Sequence, residues 1–283
     1  MYVTLKEILK NTRRDKFAVG AFNIHCLEMV PSMIEAAKAK NSPIILQVSP
    51  TTCKYIGASL LSAVVKELAK ETDINVTLHL DHAKDFNTIK EAVDNGFSSV
   101  MIDASALPLE ENIKKTKEVV KYAAQHGVSV EAELGTIGGT EEGVALNNGK
   151  IKYTRPQDAV KFIEATGIDA LAIAIGTSHG QYKSKAKLRF DILKDIYNVT
   201  NIPLVLHGGT GVSEEDLKKC ISAGISKVNI GTELNIAWVT AAKESFGKAK
   251  VNDSCRDLLI PANYAVQKVI EHKIDVLGSS NRK

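Results

Sequence analysis

Three of the seven histidines in this 283-residue chain, His82, His179 and His207, each come at or just past the end of a short apolar run, as in Leu78-His79-Leu80-Asp81-His82. Three imidazoles brought together make a catalytic zinc site, with a fourth position left open for a substrate oxygen. Asp81 directly precedes the first of them. A carboxylate there either moves a proton to or from a substrate hydroxyl beside the metal or orients a histidine ligand. Asp103 and Glu133 close two further apolar runs and offer ligand orientation or an alternative metal position. His79, two residues from Asp81, shares its face on a regular strand and takes a supporting role. His25, His126 and His272 read as ordinary loop or helix residues.

A second chemistry lies in two glycine-containing segments. Gly208-Gly209-Thr210-Gly211 leads toward a helix starting near Ser213, and Asn229-Ile230-Gly231-Thr232 leads into a helix over 235–243. Glycine lets backbone N–H groups approach a phosphate, and a helix N-terminus adds a favourable dipole.

Short strands must position these residues. Apolar, β-rich runs occur at 18–22, 43–48, 76–80, 99–102, 128–133, 170–175, 203–207 and 227–230, separated by helix-like stretches at 28–40, 60–71, 87–95, 109–126, 156–166, 190–197 and 213–223. Alternation of this kind implies βαβ units and a parallel sheet. Eight repeats favour closure into a (β/α)8 TIM barrel over an open doubly wound sheet. Such a barrel carries its active site at the C-terminal ends of its strands, where Asn23, Asp81, His82, Asp103, His179 and His207 fall. The expected organisation is one domain over 1–283, with a helical tail from about residue 243. Residues 135–152, rich in glycine and asparagine, follow the fifth strand as the longest irregular stretch, and are expected to form a mobile lid.

Composition narrows the classes. Hydrophobic residues make up 44% and aromatics 5%, a balance that suits parallel strands covered on both faces. The 36 basic and 33 acidic residues are interspersed, for a net charge of +3, so no block suggests nucleic-acid binding. Cys26, Cys53, Cys220 and Cys255 form no CxxC pair, which argues against a disulfide framework or a cysteine zinc site. No signal peptide or membrane span is evident, and the expected setting is cytoplasmic.

With these residues in place, the chain resembles the class II, metal-dependent ketose-bisphosphate aldolases, which include fructose- and tagatose-bisphosphate aldolases. The resemblance spans almost the whole chain, through Ala21-Phe22-Asn23, 79–82, Asp103-Ala104-Ser105, 130–135, 176–180, 207–211 and 229–233. It implies a zinc-dependent barrel, a homodimer or homotetramer, with Zn2+ on His82, His179 and His207 and Asp81 as proton donor and acceptor at the substrate C4 oxygen. It implies that Asn23, Gly180, Gly208, Gly209, Thr210, Asn229, Ile230, Gly231 and Thr232 hold a phosphosugar, with a monovalent cation (Na+ or K+) near its phosphate. Glu141 matches the mobile acid that moves the C3 proton. Arg256 matches an arginine that grips the distant phosphate from a neighbouring subunit, although Leu258 stands where the family usually has an aromatic.

The expected reaction is reversible cleavage of fructose 1,6-bisphosphate to dihydroxyacetone phosphate and glyceraldehyde 3-phosphate, with zinc stabilising an enediolate. Tagatose 1,6-bisphosphate is the alternative substrate, because Thr232-Glu233-Leu234 resembles that branch as much. No lysine ends the sixth strand, and Lys227 is read as beginning the eighth, so no Schiff-base lysine is offered. A zinc hydrolase on the same barrel would take a His-x-His pair from the first strand, which offers Asn23. A non-catalytic phosphosugar-binding protein would not need Asp81 beside three histidines.

Overall fold

Eight parallel strands close on themselves: β1 (Val19–Asn23), β2 (Ile44–Val48), β3 (Val76–Ala83), β4 (Ser99–Ile102), β5 (Ser129–Leu134), β8 (Ala170–Ile173), β10 (Leu204–Leu206) and β11 (Ile225–Ile230). Their order around the barrel is β1-β11-β10-β8-β5-β4-β3-β2. The computed structural model describes residues 1–141, 144–146, 151–180 and 186–283, with 139–141 and 144–146 described by backbone alone. The helices are α1 (Leu5–Ile8), α2 (Thr12–Asp15), α3 (Val30–Ala39), α4 (Pro50–Ile56), α5 (Ala58–Lys70), α6 (Phe86–Asp94), α7 (Leu109–Gln125), α8 (Pro156–Thr166), α9 (Phe190–Val199), α10 (Glu214–Ser222), α11 (Thr232–Gly247) and α12 (Cys255–Leu277). The expected TIM barrel is what forms.

The eight anticipated strands are the eight observed, and three boundaries that differ bear on the site. β3 continues through His82 to Ala83, so Asp81 and His82 belong to the strand itself. β11 begins at Ile225, which puts Lys227 in mid-strand rather than at its start. The helix expected over 235–243 starts at Thr232, so the segment 229–232 runs straight into its first turn. Side-chain caps set several helix starts: Ser49, Asp85 and Ser213 each accept an N–H three residues on. The Ser49 cap and Pro50 in the first turn open α4, a helix that its short, polar sequence had hidden.

The stretch 135–152 is not irregular throughout. β6 (Gly138–Glu141) and β7 (Val144–Leu146) pair antiparallel, and β6 also pairs in parallel with β9 (Ser178–His179), matching Gly139 to His179. Residues 142–143 and 147–150 of the expected lid, and the Glu141 side chain, lie outside the described residues.

The C-terminal tail is a 23-residue helix, α12, packed on α3, α11 and β1. Val266, Ile270, Ile274 and Leu277 form its buried stripe at helical spacing. No helix among the described residues is long and apolar enough to cross a membrane, and all four cysteines are free.

The opposite mouth of the barrel is stoppered by the N-terminus. Leu5, Ile8, Leu9 and Phe17 pack with Val19, Ala21, Ile45, Ala170, Ala172 and Val205 in one buried cluster. Val3 N bonds Val76 O at the start of β3, and Lys6 N bonds Ser129 Oγ at the start of β5. Arg13 reaches the carbonyls of Tyr197, Thr200 and Ile202, fixing the turn between α9 and β10. Truncating this plug should leave a cavity far from the strand C-termini. Leu5→Ala is expected to cost about 2–5 kcal/mol of stability in denaturant unfolding, with kcat at 25 °C unchanged.

Candidate active site

Asp81 and His82 are neighbours on β3, and in a regular strand their side chains would point to opposite faces. The register against β4 shifts between Leu80 and Ala83, a bulge. His82 takes φ of +49°, an uncommon backbone conformation for a non-glycine residue, found where surrounding structure holds it. The bulge brings both residues into the same site, with His82 Nε2 4.0 Å from Asp81 Oδ1. Its Nδ1 meets Asp103 Oδ2 at 3.0 Å, at the end of β4.

His179 arrives on β9 and His207 just after β10. The ring centroids stand 5.0 Å apart for His82 and His179, 4.6 Å for His82 and His207, and 5.9 Å for His179 and His207. One nitrogen from each lies within 4.8 Å of the others. His179 Nε2 and His207 Nδ1 are buried and make no hydrogen bond. Burial, together with the neighbouring rings, drives the pKa of both residues below the ordinary histidine value, so they are neutral and present lone pairs.

The donor set therefore fits a divalent ion such as zinc, which takes neutral imidazole nitrogens. A further contact points the same way. His207 Nε2 lies 2.9 Å from Glu131 Oε1, leaving Nδ1 as an acceptor, yet Nδ1 faces Glu133 Oε2 at 3.3 Å. Two acceptors at that distance repel unless a proton or a metal ion lies between them. His82, Asp103 and Glu133 form a second group of possible ligands. The hydrogen bond from His82 Nδ1 makes Asp103 better suited to orienting that ring.

Asp81 is buried, and each of its oxygens takes an amide N–H: Asn229 Nδ2 at 3.3 Å and Gln47 Nε2 at 3.1 Å. Burial works against its charge, but His82 and Lys227 outweigh it and its pKa falls below the usual carboxylate range. Beside it opens a cavity of about 380 Å³ lined by Asn23, Asp81, His179, Gly180, Gly208, Thr210, Asn229, Gly231 and Thr232. Gly208 has φ of +71°, and a Cβ there would meet Ser178 O at 2.3 Å. A Cβ on Gly231 would lie 2.6 Å from Asn23 Oδ1, so glycine is what lets α11 begin at the cavity wall. Gly209 and Ile230 are buried and do not line this cavity. Nor does Arg256, which sits exposed at the start of α12 and pairs with Asp257.

Several site residues escape a sequence reading. His25, read there as an ordinary loop residue, lines the cavity, as do Ser49, Thr52 and Asn235. Serine before proline at 49–50 was a visible helix-start signal for the first pair. Gln47, Glu131 and Lys227 are fully buried polar groups in the barrel interior. Their placement in apolar strands was the only signal, and it names no partner. His79 is also fully buried, bonded to Ser99 Oγ at 2.7 Å and 3.7 Å from Glu131.

Residues 3–282 match the family model for fructose-bisphosphate aldolase class-II. A curated fructose-bisphosphate aldolase of Staphylococcus aureus is 43% identical, covering 99% of this chain and 98% of that one. The 6-phospho-5-dehydro-2-deoxy-D-gluconate aldolase of Bacillus subtilis is 38% identical over 99% of this chain and 97% of its own length. The crystal structure of the YdjI aldolase from Escherichia coli K12 superposes with a TM-score of 0.88 at 33% identity, covering 100% of this chain and 99% of that one.

The charges in this site make stability depend on acid. Burial, aided by Lys227, pushes the His79 pKa down to about 3 from 6.5. Glu131 is buried against its charge but is held well below the carboxylate range by Lys227 and His207. A histidine with a depressed folded pKa takes its proton first in the unfolded chain, below the unfolded pKa of 6.5. The carboxylates act in the same direction at lower pH. The metal-free protein should therefore lose stability steadily as pH falls below about 6.5, measured as the urea midpoint across a pH series. His79→Gln should flatten the upper part of that slope.

Proposed function

The chain belongs to the class-II fructose-bisphosphate aldolase family, and we propose that it cleaves fructose 1,6-bisphosphate reversibly to dihydroxyacetone phosphate and glyceraldehyde 3-phosphate. One observation carries this reading: three imidazoles converge beside Asp81, whose two oxygens are held by amides at the wall of a glycine-lined cavity. The family is zinc-dependent, and His82 and His179 through Nε2, with His207 through Nδ1, would hold the ion. Zinc bound there supplies a Lewis acid toward the substrate ketone.

The chain's own groups do the rest. Asp81 takes the proton of the C4 hydroxyl as the C3–C4 bond breaks, and the aldehyde half leaves with a new carbonyl. The electron pair kept at C3 becomes a C–H bond when an acid delivers a proton. Glu141, which the family resemblance assigns to that task, ends the backbone of β6, the strand paired with the one carrying His179. The phosphate of the retained half lies against the N–H groups of Gly208, Gly231 and Thr232, at the positive end of α11, with Na+ or K+ nearby. The far phosphate is gripped by Arg256 of a neighbouring subunit in a homodimer or homotetramer.

Relatives named fructose-bisphosphate aldolase support the fructose substrate. Thr232-Glu233-Leu234 at the start of α11 keeps the C4 epimer, tagatose 1,6-bisphosphate, as the second candidate. A coupled cleavage assay with both epimers is expected to favour the fructose substrate, to stop on chelation and to recover with zinc. Full activity after verified metal removal, or trapping of substrate by borohydride, overturns the reading. Asp81→Ala should keep its zinc and lose about 10²–10⁴-fold in kcat, whereas His207→Ala should lose metal affinity. A variant lacking Asp81 that kept its rate per bound zinc would remove Asp81 from the proton-transfer role.

A further inference from the structure

The chemistry above leaves the most deeply buried cation of the barrel without a task. Lys227 has no exposed surface and does not line the cavity. An ammonium is costly in such a place unless it is paired and fully hydrogen-bonded. Its Nζ lies 2.9 Å from Glu131 Oε2 and donates to Asn229 Oδ1 at 2.8 Å.

Each contact settles the orientation of a second group. Glu131 accepts from His207 Nε2 through its other oxygen at 2.9 Å, which makes Nδ1 the nitrogen that His207 turns toward His82 and His179. Asn229 commits its oxygen to the ammonium, so only its NH2 remains for Asp81 Oδ1, at 3.3 Å. Reversed, the same amide would set an oxygen against a carboxylate.

We infer that Lys227 is a positioning residue that sets two features of the site at once: the ring nitrogen presented by His207, through Glu131, and the aim of the Asp81 carboxylate, through Asn229. This rests on the reading of His207 as a zinc ligand and Asp81 as the proton-transfer group. Lys227 touches neither metal nor substrate; it acts through residues that do.

Lys227→Met keeps the length of the side chain and removes its charge. Three measurements on the full-length protein test the inference: zinc affinity by chelator competition, kcat and KM at saturating zinc, and the 15N spectrum of the histidine rings in the metal-free protein. The expected result is zinc affinity lower by about 10–100-fold and kcat at zinc saturation lower by a similar factor, with KM within about twofold and the Nε2–H form of His207 no longer dominant. Glu131→Gln tests the His207 branch by itself: it should weaken zinc and shift the His207 ring spectrum, while Lys227 still holds Asn229.

A Lys227→Met protein with wild-type zinc affinity, kcat and ring spectrum, or one altered only in thermal stability, overturns the inference. If the variant fails to fold with Glu131 left as an unpaired buried charge, Lys227→Met/Glu131→Gln removes both charges at nearly constant volume. It must show the same loss of kcat, because Asn229 has lost its ammonium partner, and a wild-type kcat in it is equally fatal. A wild-type protein that neither bound zinc nor cleaved a ketose bisphosphate would sink the functional reading instead, and the metal-free ring spectra would still decide the role of Lys227.

Discussion

Adjacent residues on a β-strand face opposite ways, and this site needs two adjacent residues on the same side. The bulge at the end of β3 resolves that conflict. It places His82 in a left-handed conformation, which costs on the order of 1–3 kcal/mol for a non-glycine residue. The strain is held by contacts on both sides: Asp103 takes the His82 ring, and the amides of Gln47 and Asn229 take Asp81. A flat β3 would turn either the His82 ring or the Asp81 carboxylate into the helical layer.

The interior behind the rim solves a charge problem. Glu131, His79, Lys227 and His207 all lie with no exposed surface, and isolated charges there would be prohibitive. Lys227 and Glu131 neutralise one another, and the imidazoles stay neutral because burial lowers their pKa values. Neutral rings are also the form that binds a cation. The same desolvation that keeps the barrel centre stable without metal thus prepares the rim for one.

The segment after β5 joins this assembly through backbone. β6 pairs with β9, so the hairpin and His179 share one small sheet. A movement of that hairpin is thereby tied to His179, which gives a physical basis for coupling loop position to the state of the site.

The amino-acid sequence alone determined the barrel, because strand and helix periods are local and their alternation repeats eight times. It also determined the three imidazoles, Asp81 and the glycine segments at 208–211 and 229–232, because rim residues follow apolar runs at fixed places in the repeat. It could not show that β3 bulges, since a bulge is decided by the register against β4 rather than by the residues of β3. Nor could it show that Lys227, Glu131 and Gln47 serve the site. Gln47 and Lys227 stand 180 positions apart and are linked only through Asp81 and Asn229, because the barrel closes β11 and β2 onto β1. Hydrogen-bond partners across a closed barrel depend on shear and strand order, and those belong to the tertiary structure.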